Sequence, residues 1–373
     1  MDIIWIGDAA ATLGALVVVW MLRRPAARPR ATPAIRNAAP RPQPAAPATV
    51  AARPAPPPAG STPPPSELAA FRPRHAGELP AERRAGYLQV FKDVPRPPRL
   101  LHHLLSPEFF DGASSAQLVD LISAEPLIAA RVLATVNSSL YGLSRPVTGI
   151  GQAVTYLGLN TVRSLCVQHI LRSTFLPDGA ERKPLLESAW AASALASELA
   201  QRLSQDLGLE ERGALVSAVV LSFLGRLATV ARTPLPVLAE IPARGLLERA
   251  RAEQDKLGLP ACEIGRLLMT EWALPDSVVA DAADLDRTLV AAPAADARGT
   301  RLALGYLCTR LGERLAAGEV TDLATMDLAA DASIELHHWR SVLAQRPLAR
   351  LPELLRAQDL ATAIQRLRAA WAG

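Results

Sequence analysis

The sequence predicts an all-α protein, and three observations carry that reading. Alanine, leucine and arginine dominate while aromatics make up only 4% of the chain, and Ala, Leu and Arg lose little side-chain entropy in a helix. After about Ala81 apolar residues recur with helical periodicity, and no stretch of useful length alternates with the period of two expected of a strand. Half of the 373 residues are hydrophobic, enough to bury one large core or two smaller ones, so disorder of the whole chain is excluded.

Residues 1–24 read as a transmembrane helix with its flanks. Ile3 to Leu22 is an apolar run interrupted only by Asp8, Thr12 and two glycines; at ~1.5 Å per residue it spans a ~30 Å hydrocarbon layer. Trp5 and Trp20 sit near its ends, where indole rings favour the interface, and Arg23 and Arg24 follow at once. This placement predicts a single pass through the membrane with the C-terminal bulk in the cytoplasm. A cleaved signal peptide would need a positive segment before the apolar run, whereas the early charges here are Asp2 and Asp8.

Residues 25–80 read as a disordered linker rich in Pro, Ala and Arg, with a triple proline at 56–58 and another at 63–65. Such a composition builds no core and samples extended polyproline II, a tether. Its arginines can touch anionic headgroups, or simply keep a spacer solvated; a PxxP ligand role is a weaker reading. Residues 1–53 hold seven arginines and two aspartates, and since the whole chain is +4, residues 54–373 carry about −1. The helical part thus lacks the basic footprint of a nucleic-acid binder. Cys166, Cys262 and Cys308 are widely spaced with no CxxC pair, which suggests neither a disulfide framework nor a zinc ribbon and fits a reducing cytosol.

Residues 81–373 read as helices and short turns. Ser114 with Gln117 has capping-box spacing, and Pro126 opens the next helix at a first-turn position. That helix places Leu127, Ile128, Val132, Leu133 and Val136 on one broad face. It ends at Asn137, which is able to take a left-handed cap and to bond the following loop. Gly142 permits the turn before Arg145 and Pro146; Gly158 ends one helix and Asn160 caps the next. Further helices are predicted near 149–157, 161–175, 185–205, 211–231, 244–256, 261–272, 275–285, 295–316, 332–344 and 350–371. Trp190 and Trp272 read as core packing.

The stretch LVDLISAEPLIAARVLATVNSSLYGLSRPVTGIGQAVTYLGLNTVRSLCVQHIL, Leu118 to Leu171, resembles the HDOD domain. Glu125 and Pro126 stand where that family usually has Asp-Pro. Val132-Leu133, Asn137-Ser138, Tyr141-Gly142, Gln152-Ala153 and Leu157-Gly158 follow at the expected distances. Trp190, Gly225 with Arg226 and Leu227, Gly265 with Leu267 and Leu268, and Trp272 to Pro275 continue the order. The resemblance covers about 93–290 and implies an HD-domain-like helical bundle. Physically, the motif residues read as caps and core positions.

HD phosphohydrolases, which HDOD domains resemble, bind metal through a His, a His-Asp dipeptide and a distant Asp, since hard divalent ions need several converging oxygen or imidazole ligands. The chain has no His-Asp dipeptide. Aligned on Gly225-Arg226-Leu227, that pair falls on Ser222 and Phe223; other ligand positions fall at Ala192, Ala261 and near Asp284 and Leu285. His102-His103 and His337-His338 are adjacent pairs, whose rings on a helix point ~100° apart and seldom chelate one ion. No phosphate-cradling glycine loop or GxSxG elbow is present.

The resemblance implies a role in bacterial signal transduction; with the apolar run at 3–22, read as an anchor in the bacterial inner membrane, and the missing ligands, the expectation is a catalytically inactive, membrane-tethered scaffold without a cofactor, acting on a partner signalling protein through grooves between its helices. Two rival readings are a residual metal-dependent phosphodiesterase and a non-hydrolysing cyclic-dinucleotide sensor using the vestigial cleft.

Overall fold

The computed structural model describes residues 63–372 apart from 93 and 139, all within the unit Pro58–Gly373. The expected membrane helix at 3–22 and the tether at 25–62 lie outside the described residues. Among the described residues every regular element is helical.

The folded part starts earlier than the boundary read at Ala81, a correction to the linker. Helix α1 (Ser66–Ala70) and a 3-10 turn at Ala76–Glu78 bury Leu68, Phe71, Ala76 and Leu79. The density of prolines hid these four apolar residues. Their segment is held by tertiary bonds rather than by a helical pattern of its own: Arg74 N–H donates to Gln254 Oε1 at 2.6 Å, Ala76 N–H to Glu263 Oε2 at 3.1 Å, and Gln254 Nε2 to the Arg72 carbonyl at 3.2 Å. Buried backbone groups must find partners, and side chains of the helices at 246–271 supply them.

Next come α2 (Ala81–Lys92), α3 (Arg99–Leu104), α4 (Pro107–Gly112), α5 (Ser115–Ser123), α6 (Pro126–Val136), α7 (Ile150–Leu157) and α8 (Leu159–Thr174). The capping box forms as expected, with Ser114 and Gln117 bonding each other's backbone. Helices α5 to α8 pack together, burying Leu118, Ile122, Val132, Val136, Ala153 and Val162. Asn137 ends α6 but keeps φ near −84° rather than a left-handed cap. Its side chain instead clamps the loop, donating to the Val147 carbonyl at 2.8 Å and accepting the Val147 amide at 2.7 Å. Gly158, at φ +82°, closes α7 and starts α8 without a side-chain cap, so Asn160 is not the cap that its type suggested.

The centre of the bundle is α9 (Lys183–Asp206) against α16 (Ala297–Ala316). Small residues let the two axes approach: a Cβ on Gly312 would lie 2.5 Å from the Ala192 carbonyl oxygen and 2.8 Å from Ala196 Cβ. Between them in sequence lie α10 (Arg212–Ser222), α11 (Leu224–Arg232), α12 (Leu235–Leu238), α13 (Leu246–Leu257), α14 (Ala261–Glu271) and α15 (Asp276–Asp284), which leads into a 3-10 turn at Leu285–Leu289. The single helix expected at 211–231 is broken at Phe223, where the Ser222 hydroxyl donates to the Val219 carbonyl at 2.8 Å and competes with the helical ladder. The segment 212–232 is long and apolar enough to cross a membrane, but most of it is buried inside the domain.

The helix expected at 332–344 is two 3-10 turns, Ile334–Leu336 and Trp339–Val342. Tertiary bonds fix them: the Tyr306 hydroxyl donates to the Glu335 carbonyl at 2.8 Å and Trp339 Nε1–H to the Ala303 carbonyl at 2.8 Å. The chain closes with α17 (Leu351–Leu354) and α18 (Gln358–Ala372), which packs on α9.

Gly225 is placed by contact rather than by φ: a Cβ there would sit 1.7 Å from the Ala261 carbonyl oxygen, where α11 crosses α14. Gly225→Ala should force these helices apart and cost about 1–3 kcal/mol or more. A chemical-denaturation midpoint equal to that of the unsubstituted protein would contradict this crossing.

Candidate functional site

The kink at Ser222 and Phe223 opens on a cleft between α10, α11, α13, α14 and α16, and six charged side chains meet there. Arg226 comes from α11, Arg249 and Glu253 from α13, Asp286 from the turn after α15, and Arg310 and Glu313 from α16. Glu313 is the hub. Its Oε1 accepts from Arg226 Nη1 at 2.7 Å and from Arg249 Nη2 at 2.8 Å, and its Oε2 accepts from Arg310 Nη1 at 2.8 Å. Arg310 Nη2 reaches Asp286 Oδ1 at 3.5 Å, while Arg249 Nε lies 4.0 Å from Glu253 Oε1. Glu253 Oε2 also accepts the Ala261 amide at 2.7 Å and so caps the start of α14.

Environment sorts the three carboxyls. Burial alone would raise the Glu313 pKa, but Arg249, Arg310 and Arg226 outweigh it and hold it at about 2. At Glu253 burial wins over the more distant Arg249 and pushes the carboxyl up to about 7. Burial likewise raises Asp286, against the pull of Arg310. Near neutral pH the cleft thus holds three guanidinium charges against fewer than three full carboxylate charges.

The positions aligned with metal ligands resolve as follows. Phe223 is buried apolar packing, Ser222 spends its hydroxyl on the Val219 carbonyl, and Ala261 contributes only backbone. Ala192 faces a second cavity of about 470 Å³ on the other side of Arg226, Arg310 and Glu313. Asp284 lies outside the cleft and pairs with Arg266 at 3.0 Å and Arg298 at 3.0 Å. Asp286, two residues on, lines the cleft instead.

This donor set does not fit a divalent cation. Both Glu313 oxygens already accept from guanidinium groups, and three arginines would repel an incoming cation. Among the described residues no cluster of three or more His, Cys, Asp or Glu side chains is arranged to hold a metal. The space left in this cleft is about 30 Å³, room for about one water.

Most of the motif residues serve the scaffold. Pro126 occupies the first turn of α6 and Glu125 precedes it without a side-chain cap; Leu157 is half-buried, and Pro275 leads into α15. Trp272 is buried against Phe175, ring centroids 6.2 Å apart. Ser138, Tyr141 and Trp190 have a further placement, because they line a cavity between α6, α8, α9 and α18. Gly142, at φ +57°, turns the chain beside it.

Sequence reasoning missed the ion cluster. A signal was present: Arg310 and Glu313 interrupt an otherwise apolar face of α16, and Arg249 and Glu253 stand four apart on α13. Charges on the buried face of a helix imply partners on other helices.

An all-α bundle of the HD-superfamily type, its central cleft filled by internal ion pairs, is the class that this fold and site define. The chain belongs to the HDOD domain family, whose sequence profile matches residues 94–286. The fold is similar to an HDOD domain protein from Geobacter sulfurreducens, 17% identical, with a TM-score of 0.55 over 77% of this chain and 97% of that one. A protein from Shewanella amazonensis SB2B named a phosphohydrolase is 19% identical, with a TM-score of 0.53 over 76% and 98%. One from Marinobacter aquaeolei VT8 named a signal transduction protein is 20% identical, with a TM-score of 0.51 over 78% and 65%. No curated protein matches the chain.

Glu313→Gln would leave three buried guanidinium groups without their shared counter-charge and should destabilise the domain by about 3–5 kcal/mol; a loss under about 1 kcal/mol in urea unfolding would mean that the cluster is solvated. Glu253, raised from the usual 4.5 to about 7, gives a stability contribution present below pH 4.5 and lost as pH rises through 7, because the folded state holds the proton more tightly. Glu253→Gln, which still accepts the Ala261 amide, should flatten the fall in melting temperature between pH 5 and pH 8.

Proposed function

We propose that this HDOD protein is a non-catalytic signalling scaffold, tethered to the bacterial inner membrane and acting by holding a partner signalling protein. The observation that carries the reading is the ion cluster itself: where a hydrolase of this superfamily needs ligands for a metal, the chain places Arg226, Arg249 and Arg310 around Glu313. Guanidinium groups there supply positive charge without the open coordination positions that activate a water. The name of the Marinobacter relative supports a role in signalling. The apolar run at 3–22 followed by Arg23 and Arg24 supports the tether and the cytoplasmic side, and the arginines of 25–53 add attraction to anionic lipid. The near-neutral helical part argues against nucleic acid as partner.

The test uses the full chain purified from membranes in detergent. Metal analysis should find less than stoichiometric Mn, Fe and Zn, and bis-p-nitrophenyl phosphate should not be hydrolysed above the buffer rate. Crosslinking in cells should capture a sensor kinase or a cyclic-dinucleotide enzyme, and removal of residues 1–24 should release the protein from the membrane fraction. Stoichiometric metal together with phosphodiester turnover would overturn the reading.

A further inference from the structure

The cavity between α6, α8, α9 and α18 has a volume of about 460 Å³ and is separate from the ion cluster. Ligand pockets run from about 300 to 1,000 Å³ and combine apolar walls with a few converging polar groups. Three features of its lining point to one ligand chemistry.

The first is charge. Arg172, Arg202 and Arg366 all line the cavity, against one carboxylate, Glu198, which is held by Arg202 Nε at 2.6 Å. Among the described residues neither Arg172 nor Arg366 has a carboxylate partner, and both are exposed enough to swing onto an entering anion. His169, also in the lining, is held neutral and bonded to the Thr135 hydroxyl at 3.0 Å; burial lowers its pKa to about 4, helped by Arg131 and Arg172. The local field is therefore positive without a protonated histidine.

The second is aromatic surface. Tyr141, Trp190 and Trp371 face the cavity, and Arg172 already stacks over the Trp371 ring at 4.8 Å. A flat base can slide between such walls, and its phosphate can then take the guanidinium groups. The third is an orphan. Gln201 Oε1 is buried in the lining with no hydrogen-bond partner, and a buried acceptor left unpaired calls for a donor. An exocyclic amino group of a base is such a donor.

We propose that this cavity binds a purine nucleotide, with phosphate at Arg172 and Arg366, the base among Tyr141, Trp190 and Trp371, and its amino group on Gln201 Oε1. The site is independent of the scaffold reading, since it shares no residue with the ion cluster. It gives the chain a place to sense a small molecule. Because one wall is α18, which packs directly on α9, occupancy ties the C-terminal helix to the centre of the bundle.

The experiment titrates the full chain in detergent with AMP, GMP, cyclic di-AMP and cyclic di-GMP, alongside adenosine and inorganic phosphate, by calorimetry. At least one nucleotide should bind saturably, with adenosine and phosphate at least tenfold weaker. Arg366→Ala and Gln201→Leu should each weaken that nucleotide about tenfold while leaving the melting temperature of the free protein unchanged for Arg366→Ala. No binding by any of the four nucleotides at millimolar concentration overturns the proposal. So does binding unaffected by Arg366→Ala, or inorganic phosphate binding as tightly as the best nucleotide, which would mark an anion site without a base pocket. Metal content and partner capture, which test the scaffold reading, are unaffected by either result.

Discussion

The carboxylate of Glu313 is the constraint on which the central cleft depends. One side chain on α16 accepts from guanidinium groups on α11, on α13 and on its own helix, so three elements share a single buried anion. Buried charges are costly to leave unpaired, and much less costly when geometry satisfies them. Such a hub fixes relative helix positions in a way that apolar contacts, which are non-directional, do not. Glu253 extends the same logic, since it stands near Arg249 and caps α14 through the Ala261 amide.

Close backbone approach supplies the other half of the geometry. Gly225 against Ala261 and Gly312 against Ala192 draw two pairs of helices together at positions where any larger residue would separate them. The Gly225–Ala261 contact borders the cleft and Ala192 borders the cavity on the other side of Arg226, Arg310 and Glu313; both contacts involve a position that the superfamily resemblance assigns to a metal ligand. Alanine at 192 and 261 therefore has a packing explanation of its own. The cleft is filled by ion pairs that leave a surplus of positive charge, while the cavity under α18 stays open, and among the described residues Arg172 and Arg366 in its lining meet no carboxylate.

Much of the fold was legible in the sequence because helical periodicity, Pro126 at a first turn and the Ser114–Gln117 box are local signals. The stretch from Glu125 to Gly158 carried the family resemblance for the same reason, and Trp190 and Trp272 are buried as their size suggested. Less local features were misread. Leu68 to Leu79 looked like tether among its prolines, although it is bonded to residues more than 170 positions away. The segment 332–344 has a helical pattern, yet bonds from Tyr306 and Trp339 hold it as 3-10 turns.

The chain's residues alone determined an all-helical fold, its family, and the lack of a His-Asp dipeptide, since each of these is written in neighbouring residues. Only the tertiary structure decided what fills the cleft beside Ser222 and Phe223. Arg226, Arg249, Asp286, Arg310 and Glu313 are scattered over 88 positions, and charges so far apart acquire meaning only when packing removes the water between them. The same holds for the cavity under α18, whose walls at His169, Gln201 and Arg366 come from three helices and at Ser138 from the loop after α6. Separation in sequence hides such groups from one another; a low-dielectric interior makes them interact.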